Sequence, residues 1–548
     1  STGATTTFAR RPASIFRLNA DPTLSVGDWL SIPVNISFTF REAAVIQPSF
    51  ATPDISSFLQ NPLNRLSISP RIGWATFHMG SIVPRYGSLT VDNAQLFGVG
   101  VDLRPSSFRI QSMYGTITRP VPVDTLSGRN GTYARTMWAF RIGDDASENS
   151  RVGVTVAYMN DDVGSIPFVT QQTVVPVPIT DSNGVVIRDS AYMLTQRSAL
   201  LAPAQEGMAI GIDFRSGFGD GFYVGGEVAA MSFTRDKEAP ELSDPIPVIS
   251  SFMTTRSSTR IDGAAMFEVG YRSSMWGVTS GVKYIGPGYV VLTQPYFQPD
   301  HIDIDVSPNI TLLEGRLITN ATFGLRFTDV SDLLSAGTTQ MLLSVNATGV
   351  INDAFTLSGS FTNFGYRTTR ADDTLRYEQV STSASLTPSF NVATEFAQHM
   401  FSVTGALDVF RDVTQQGVPS SANTTTSLIL LYAISPRQHP WSGRASLSFV
   451  DNDLSTMRTT MRSISLNGSY RLLDGMLDPD ATVMYSVNQI GSLPVENQLA
   501  LRLGVRSRIS QHLSGTLNIQ WNSVTTADTD RGRAYSEFIG SVGIRWMF

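Results

Sequence analysis

From Leu30 to Phe40 apolar and polar side chains alternate without a break. Leu30, Ile32, Val34, Ile36, Phe38 and Phe40 stand against Ser31, Pro33, Asn35, Ser37 and Thr39. Successive side chains of an extended strand point to opposite faces, so this segment is a strand with one apolar and one polar face. A helix would scatter the same residues around its whole surface. Period two returns at Phe97, Val99, Val101 and Leu103, at Trp138, Phe140 and Ile142, and at Val152, Val154, Val156 and Tyr158. It continues through Met208, Ile210, Ile212 and Phe214, Phe401, Val403, Leu407 and Val409, and Leu499, Leu501, Leu503 and Val505. No segment carries a helical stripe.

These strands read as roughly ten to fifteen residues, against about five or six in soluble sheets and about nine to eleven for a tilted membrane strand. Connections alternate in length. Ser273-Ser274, Glu314-Gly315, Asn352-Asp353 and Ser510-Gln511 are tight, whereas 161–205, 236–258 and 287–299 are long. Outer-membrane barrels pair short periplasmic turns with longer outer loops. The chain therefore predicts an all-β fold: one transmembrane antiparallel up-and-down β-barrel over 1–548, with both termini periplasmic. About 25 strands are plain, and an even number asks for one more, which Thr5–Arg10 supplies; the expectation is about 26, with 24 the alternative.

The last residues agree. Ser541, Gly543, Trp546 and Phe548 place two aromatics on one strand face at the extreme C-terminus, a pattern that resembles the insertion signal of outer-membrane barrels. Trp276, Trp441 and Trp546 fall on apolar faces beside the tight turns, where an interfacial girdle belongs.

Composition permits this reading. Mean hydropathy is +0.00 and 42% of residues are hydrophobic, the average expected when half of each strand faces lipid and half faces a polar lumen. No stretch approaches the roughly 20 apolar residues of a membrane helix. Cysteine is absent, which excludes disulfides and thiolate metal sites. A net charge of -6 without a basic patch argues against nucleic acid. Lys237 and Lys283 are the only lysines, every other basic residue being Arg. A GC-rich genome produces that bias, and so does selection for bidentate Arg–carboxylate pairs. A secretion signal is expected to have preceded Ser1, and no plug domain is read ahead of the barrel, which argues against a TonB-dependent transporter.

Two blocks bear a family likeness. One runs from Asn64-Arg65 through Pro70, Gly73-Trp74, His78-Met79-Gly80 and Leu96–Pro105 to Tyr114-Gly115 and Arg119-Pro120; the other is Val282–Tyr289. Both resemble large, mostly uncharacterised outer-membrane β-barrels of the Bacteroidetes/Chlorobi type, which often carry Arg where Ile285 stands. The resemblance implies fold and location and supplies no catalytic signature.

Candidate chemistry lies on the polar faces. Arg109, Arg141, Asp213, Arg215, Glu227, Glu268, Arg272, Lys283, Arg326, Asp408, Arg471, Arg502, Arg506, Arg508, Glu537 and Arg545 would face the lumen. They either pair across strands and stiffen the wall or set a transverse field that sorts solutes; Arg502, Arg506 and Arg508 make one wall locally positive. His78, His301, His399, His439 and His512 show no metal-ligand spacing. Asp144-Asp145, Asp161-Asp162 and Asp372-Asp373 read as solvated or weakly cation-binding connections. No cofactor is implied. The expected partners are outer-membrane lipids, lipopolysaccharide, the barrel-assembly machinery and a plug or surface protein. A lumen of about 26 strands needs filling, and the longest loop, 161–205, carries a hairpin pattern around Asn183-Gly184 suited to capping it. Three readings follow: an occluded pore or conduit, a non-conducting anchor for a surface complex, and a rim hydrolase.

Overall fold

The alternation read from the sequence is realised as hydrogen-bonded ladders. The computed structural model describes residues 15–41, 64–123, 130–147, 150–166, 170–180, 186–197, 202–244, 247–294, 297–332, 337–368, 377–412, 422–510, 513–526 and 534–546. Among them, 27 strands join one sheet, accompanied by two separate hairpins. Consecutive strands pair antiparallel, as where Thr338–Asn352 meets Phe355–Thr368 and that strand meets Glu378–Ala393. Many reach 12 to 16 residues. The fold is all-β, antiparallel and up-and-down, the class expected of a transmembrane barrel. No helix of the described residues is long and apolar enough to cross a membrane.

Two strands are interrupted. Ile15–Ala20 and Thr23–Val26 both pair with Leu30–Arg41, and so do Arg65–Ile68 and Arg71–Ile72. Counting each broken pair as one, the 27 become 25 rows among the described residues. Thr5–Arg10, Asp372-Asp373, His512 and Phe548 lie outside those residues.

Most tight connections share one end of the ladders, Ser455-Thr456 between Trp441–Leu454 and Met457–Tyr470 being a tight turn at the other. Those at the shared end include Gly27–Trp29, Gly73-Trp74, Gly219–Gly221, Ser273–Met275, Asp353-Ala354 and Arg437–Pro440. Leu313-Glu314-Gly315 and Leu473-Asp474-Gly475 form the same turn twice, each with three successive positive φ angles. Glycine is required at Gly221, whose φ is +112° and whose Cβ would stand 2.0 Å from the Arg272 carbonyl oxygen. Aromatics gather at this end. Trp29, Trp74 and Trp276 are exposed there, and Trp276 stacks with Tyr271, which meets Phe222, at centroid distances of 4.6 and 4.5 Å. Trp441 opens its strand beside the turn. Trp546 closes the last strand opposite Leu513.

The apolar faces are open. Val152, Ile212, Val228, Phe267, Phe401, Leu447, Val542 and Ile544 are all exposed. Rows of such side chains need a non-aqueous neighbour, since each gains about 1.5–3 kcal/mol on leaving water.

Contacts divide the chain into two compact units: residues 1–214, 227–265 and 288–299, and residues 215–226, 266–287 and 300–548. In the first, the polar strand face is covered. Its small and flexible side chains, Ala139, Ala157, Ala209, Ala229, Met137, Met159 and Met231, are buried. In the second, the polar face is largely uncovered and carries rows of hydroxyls joined across strands, such as Ser360–Ser385, Ser442–Ser469 and Ser448–Ser463 at 2.6–2.7 Å.

Candidate functional site

What covers the polar face of the first unit is a connection. Between Ala75–Ile82 and Leu96–Leu103 the chain turns back on itself as a small hairpin, Arg85–Gly87 with Val91-Asp92. Leu89, Thr90 and Val91 are completely buried. Connections normally run over the surface because their backbone must be solvated; this one has its backbone satisfied by the wall. Glu227, on strand Phe222–Thr234, accepts the Leu89 N–H at 3.0 Å and the Ser88 hydroxyl at 2.9 Å. No Lys or Arg nitrogen of the described residues comes within 4.0 Å of Glu227, so hydrogen bonds from the inserted hairpin are what offset its burial.

A second segment, 288–294, clamps the hairpin from its other side. The Tyr289 hydroxyl donates to the Leu89 carbonyl at 2.6 Å. The Thr293 hydroxyl donates to the Asp92 carbonyl at 3.1 Å and accepts the Asp92 N–H at 3.3 Å. Burial raises the phenol of Tyr289 well above its ordinary value, with Glu227 and Asp262 adding to the shift, which keeps the phenol a donor. Tyr86 is raised as well, first by burial and then by Asp102, against the opposing pull of Arg109 and Arg141.

Those last residues belong to an ion ladder along the same wall. Asp102 receives Arg109 at 2.7 Å and Arg104 at 3.1 Å. Asp145 receives Arg109 at 3.2 Å and Arg141 at 3.3 Å. Arg141 then passes over Gly153, where a Cβ would lie 2.4 Å from its guanidinium, to reach Asp213 at 3.0 Å. Arg135 holds Asp161 at 2.7 Å. This corrects the placing of two acidic pairs. Asp144-Asp145 and Asp161-Asp162 stand within strands Ala134–Ser147 and Ser150–Asp162, not in connections. The strands continue past the apolar alternation, and in each pair one carboxylate, Asp145 or Asp161, has an arginine partner on the polar side.

In the second unit some predicted charges also pair. Arg215 meets Glu268 at 3.0 Å and lies over the Tyr223 ring at 4.1 Å. Arg326 grips Asp303 at 2.6 and 2.7 Å, and Lys283 stands opposite Asp303 in register. Others do not. Arg471, Arg502 and Arg506 line a polar depression, while Arg508 sits apart beside the turn after its strand. Asp408 lies between Ser383 and Thr425 in register, whereas Glu537, opposite Asn522, is partnered. Arg272 ends its strand at a tight turn. Arg545 pairs with Ser514, and Ser541 and Gly543 with Asn518 and Thr516, on the alternate face from exposed Val542 and Ile544.

The inserted hairpin was not foreseen. Its signal was Tyr86, Leu89, Val91 and Ala94 inside a connection, apolar side chains that a solvated loop has no reason to carry. The 161–205 region does form the expected hairpin, Thr170–Thr180 with Val186–Arg197, as a separate sheet longer than the pattern suggested.

Among the described residues a Ser–His contact stands near a carboxylate. The Ser69 hydroxyl lies 3.0 Å from His78 Nδ1, and Asp102 shares that face two residues beyond His78's cross-strand partner Gly100. Asp102, however, is occupied by Arg104 and Arg109, which leaves it unable to orient an imidazole as a triad carboxylate does.

No known family's sequence profile matches the chain, and no curated protein does. Solved structures align over much of it. Acinetobacter baumannii OccAB2 is 9% identical, covering 62% of this chain and 92% of its own, at a TM-score of 0.31. The FrpB iron transporter from Neisseria meningitidis is 7% identical, covering 85% and 69%, at 0.34. The P pilus usher PapC translocation pore is 9% identical, covering 86% and 96%, at 0.24. Likeness at this level carries no argument about activity, and the fold class stands on this chain's own strands.

Proposed function

We propose that the chain is an outer-membrane β-barrel in a single domain, its polar face bounding a hydrophilic conduit that the segments 83–95 and 288–294 occlude. The observation that carries this is the buried hairpin at Leu89–Val91, latched by Glu227 onto a wall whose opposite face is apolar and exposed. Long two-faced strands, tight turns at one end and aromatics beside those turns support the membrane setting. In this reading the tight end is periplasmic.

Planar-bilayer recording tests it. The full chain should give small or intermittent currents, and a variant lacking 84–94 should give large steady ones. Silence from the folded deletion variant would defeat the conduit. It would favour the second reading, an anchor that conducts nothing, which the completeness of the latch also suits.

A further inference from the structure

The polar face of the second unit holds a depression of about 670 Å³. Its charged lining is Arg437, Arg471, Arg502 and Arg506 with Asp478 and Asp480. Among the described residues none of these guanidiniums comes within 4.0 Å of a carboxylate. Asp478 stands opposite Arg506 in register without closing an ion pair, and the Asp480 carboxylate lies instead over Gly504, where a Cβ would be 2.3 Å from it. Arg109, Arg141, Arg215 and Arg326, by contrast, each have a carboxylate partner. Four positive charges against two negative ones, gathered in a concavity, focus a field that draws anions. Planar guanidinium forks match carboxylate and phosphate oxygens in pairs. Asn467, Thr482 and Asn518 line the same space with neutral hydrogen-bonding groups, and its volume falls within the roughly 300–1,000 Å³ of small-ligand sites.

We infer that this depression is a binding site for a small hydroxylated solute bearing a carboxylate or phosphate group, held by Arg437, Arg471, Arg502 and Arg506. The inference rests on the conduit reading only for how such a solute arrives.

Calorimetric titration of the full chain, folded in detergent at low salt, tests it with glucuronate, glucose 6-phosphate and glucose as probes. At least one anionic sugar should bind about tenfold or more tightly than glucose, a difference of roughly 1.4 kcal/mol; which one does identifies the oxyanion. Arg502→Gln with Arg506→Gln should remove that preference. Arg502→Lys with Arg506→Lys, a gentler change to the wall, should weaken it by keeping charge and losing the fork. Arg458→Gln, which breaks the pair that exposed Arg458 makes with Asp451 elsewhere, should leave it intact. Equal affinity for all three sugars, or equal binding by wild type and both double variants, overturns the inference. Bilayer recording separates the two claims: anion binding by a protein that conducts nothing sinks the conduit and spares the site.

Discussion

Replacing Glu227 is the sharpest perturbation of the latch. Its carboxylate is buried, with the residue only 6% exposed, and accepts two good hydrogen bonds from the inserted hairpin. Hydrogen bonds to a charged acceptor contribute about 1.5–3 kcal/mol each, so Glu227→Ala forfeits about 3–6 kcal/mol of latch. Removing a carboxylate buried without a cation also relieves its desolvation, an effect of opposite sign. About 2–4 kcal/mol of net loosening remains, a shift of roughly 30- to 1,000-fold toward the displaced hairpin at 1.36 kcal/mol per decade. Glu227→Gln keeps the shape and one acceptor oxygen, and should loosen the hairpin by only about 1 kcal/mol. The assay is open probability in planar bilayers at fixed voltage, with unfolding in urea as the check that each variant is folded. The expected order is Ala above Gln above wild type. Equal open probability in three folded proteins would refute the latch, as would a more open Gln variant than Ala.

Because the chain has no cysteine, Thr90→Cys places a single thiol at a fully buried position; it should resist maleimide labelling, and combining it with Glu227→Ala should raise the labelling rate tenfold or more, by roughly the factor the loosening implies. Arg141→Ala leaves Asp145 and Asp213 facing each other without their shared cation, and should cost about 3–5 kcal/mol in urea unfolding. Gly221→Ala puts a Cβ 2.0 Å from a backbone carbonyl at φ +112°; the folded yield should fall, by a destabilisation of about 1–3 kcal/mol or more, whereas Gly540→Ala, with nothing within 4 Å, should not change it.

Strand identity was legible because one face of each strand answers to an apolar phase, and that constraint writes period two directly into residues such as Leu30 to Phe40. Many turn positions were legible for the same reason, with Asp353 and Gly315 punctuating them. The polar face was legible as a list and not as a map. Nothing local distinguishes Arg141, locked between two aspartates, from Arg502, which has none, because the distinction lies in strands 72 residues apart in the case of Asp213. The inserted hairpin was hidden for a related reason. Its partners, Glu227 and Tyr289, lie 138 and 200 residues from Leu89, beyond the reach of any periodicity. The acidic strand ends misled in the other direction, since Asp145 and Asp161 look like loop residues until their arginines are seen.

The run Arg104, Asp102, Arg109, Asp145, Arg141, Asp213 alternates in sign and balances to zero. Each interior member answers to two neighbours, so a single charge change takes one partner from each. Such a chain drifts in evolution by coordinated exchange, a pair at a time, with Gly153 tied to the bulk of whatever occupies position 141. Among descendants of a common ancestor these six positions and that glycine should therefore covary as one block, while Arg437, Arg471, Arg502 and Arg506 remain free to track whatever solute each lineage meets.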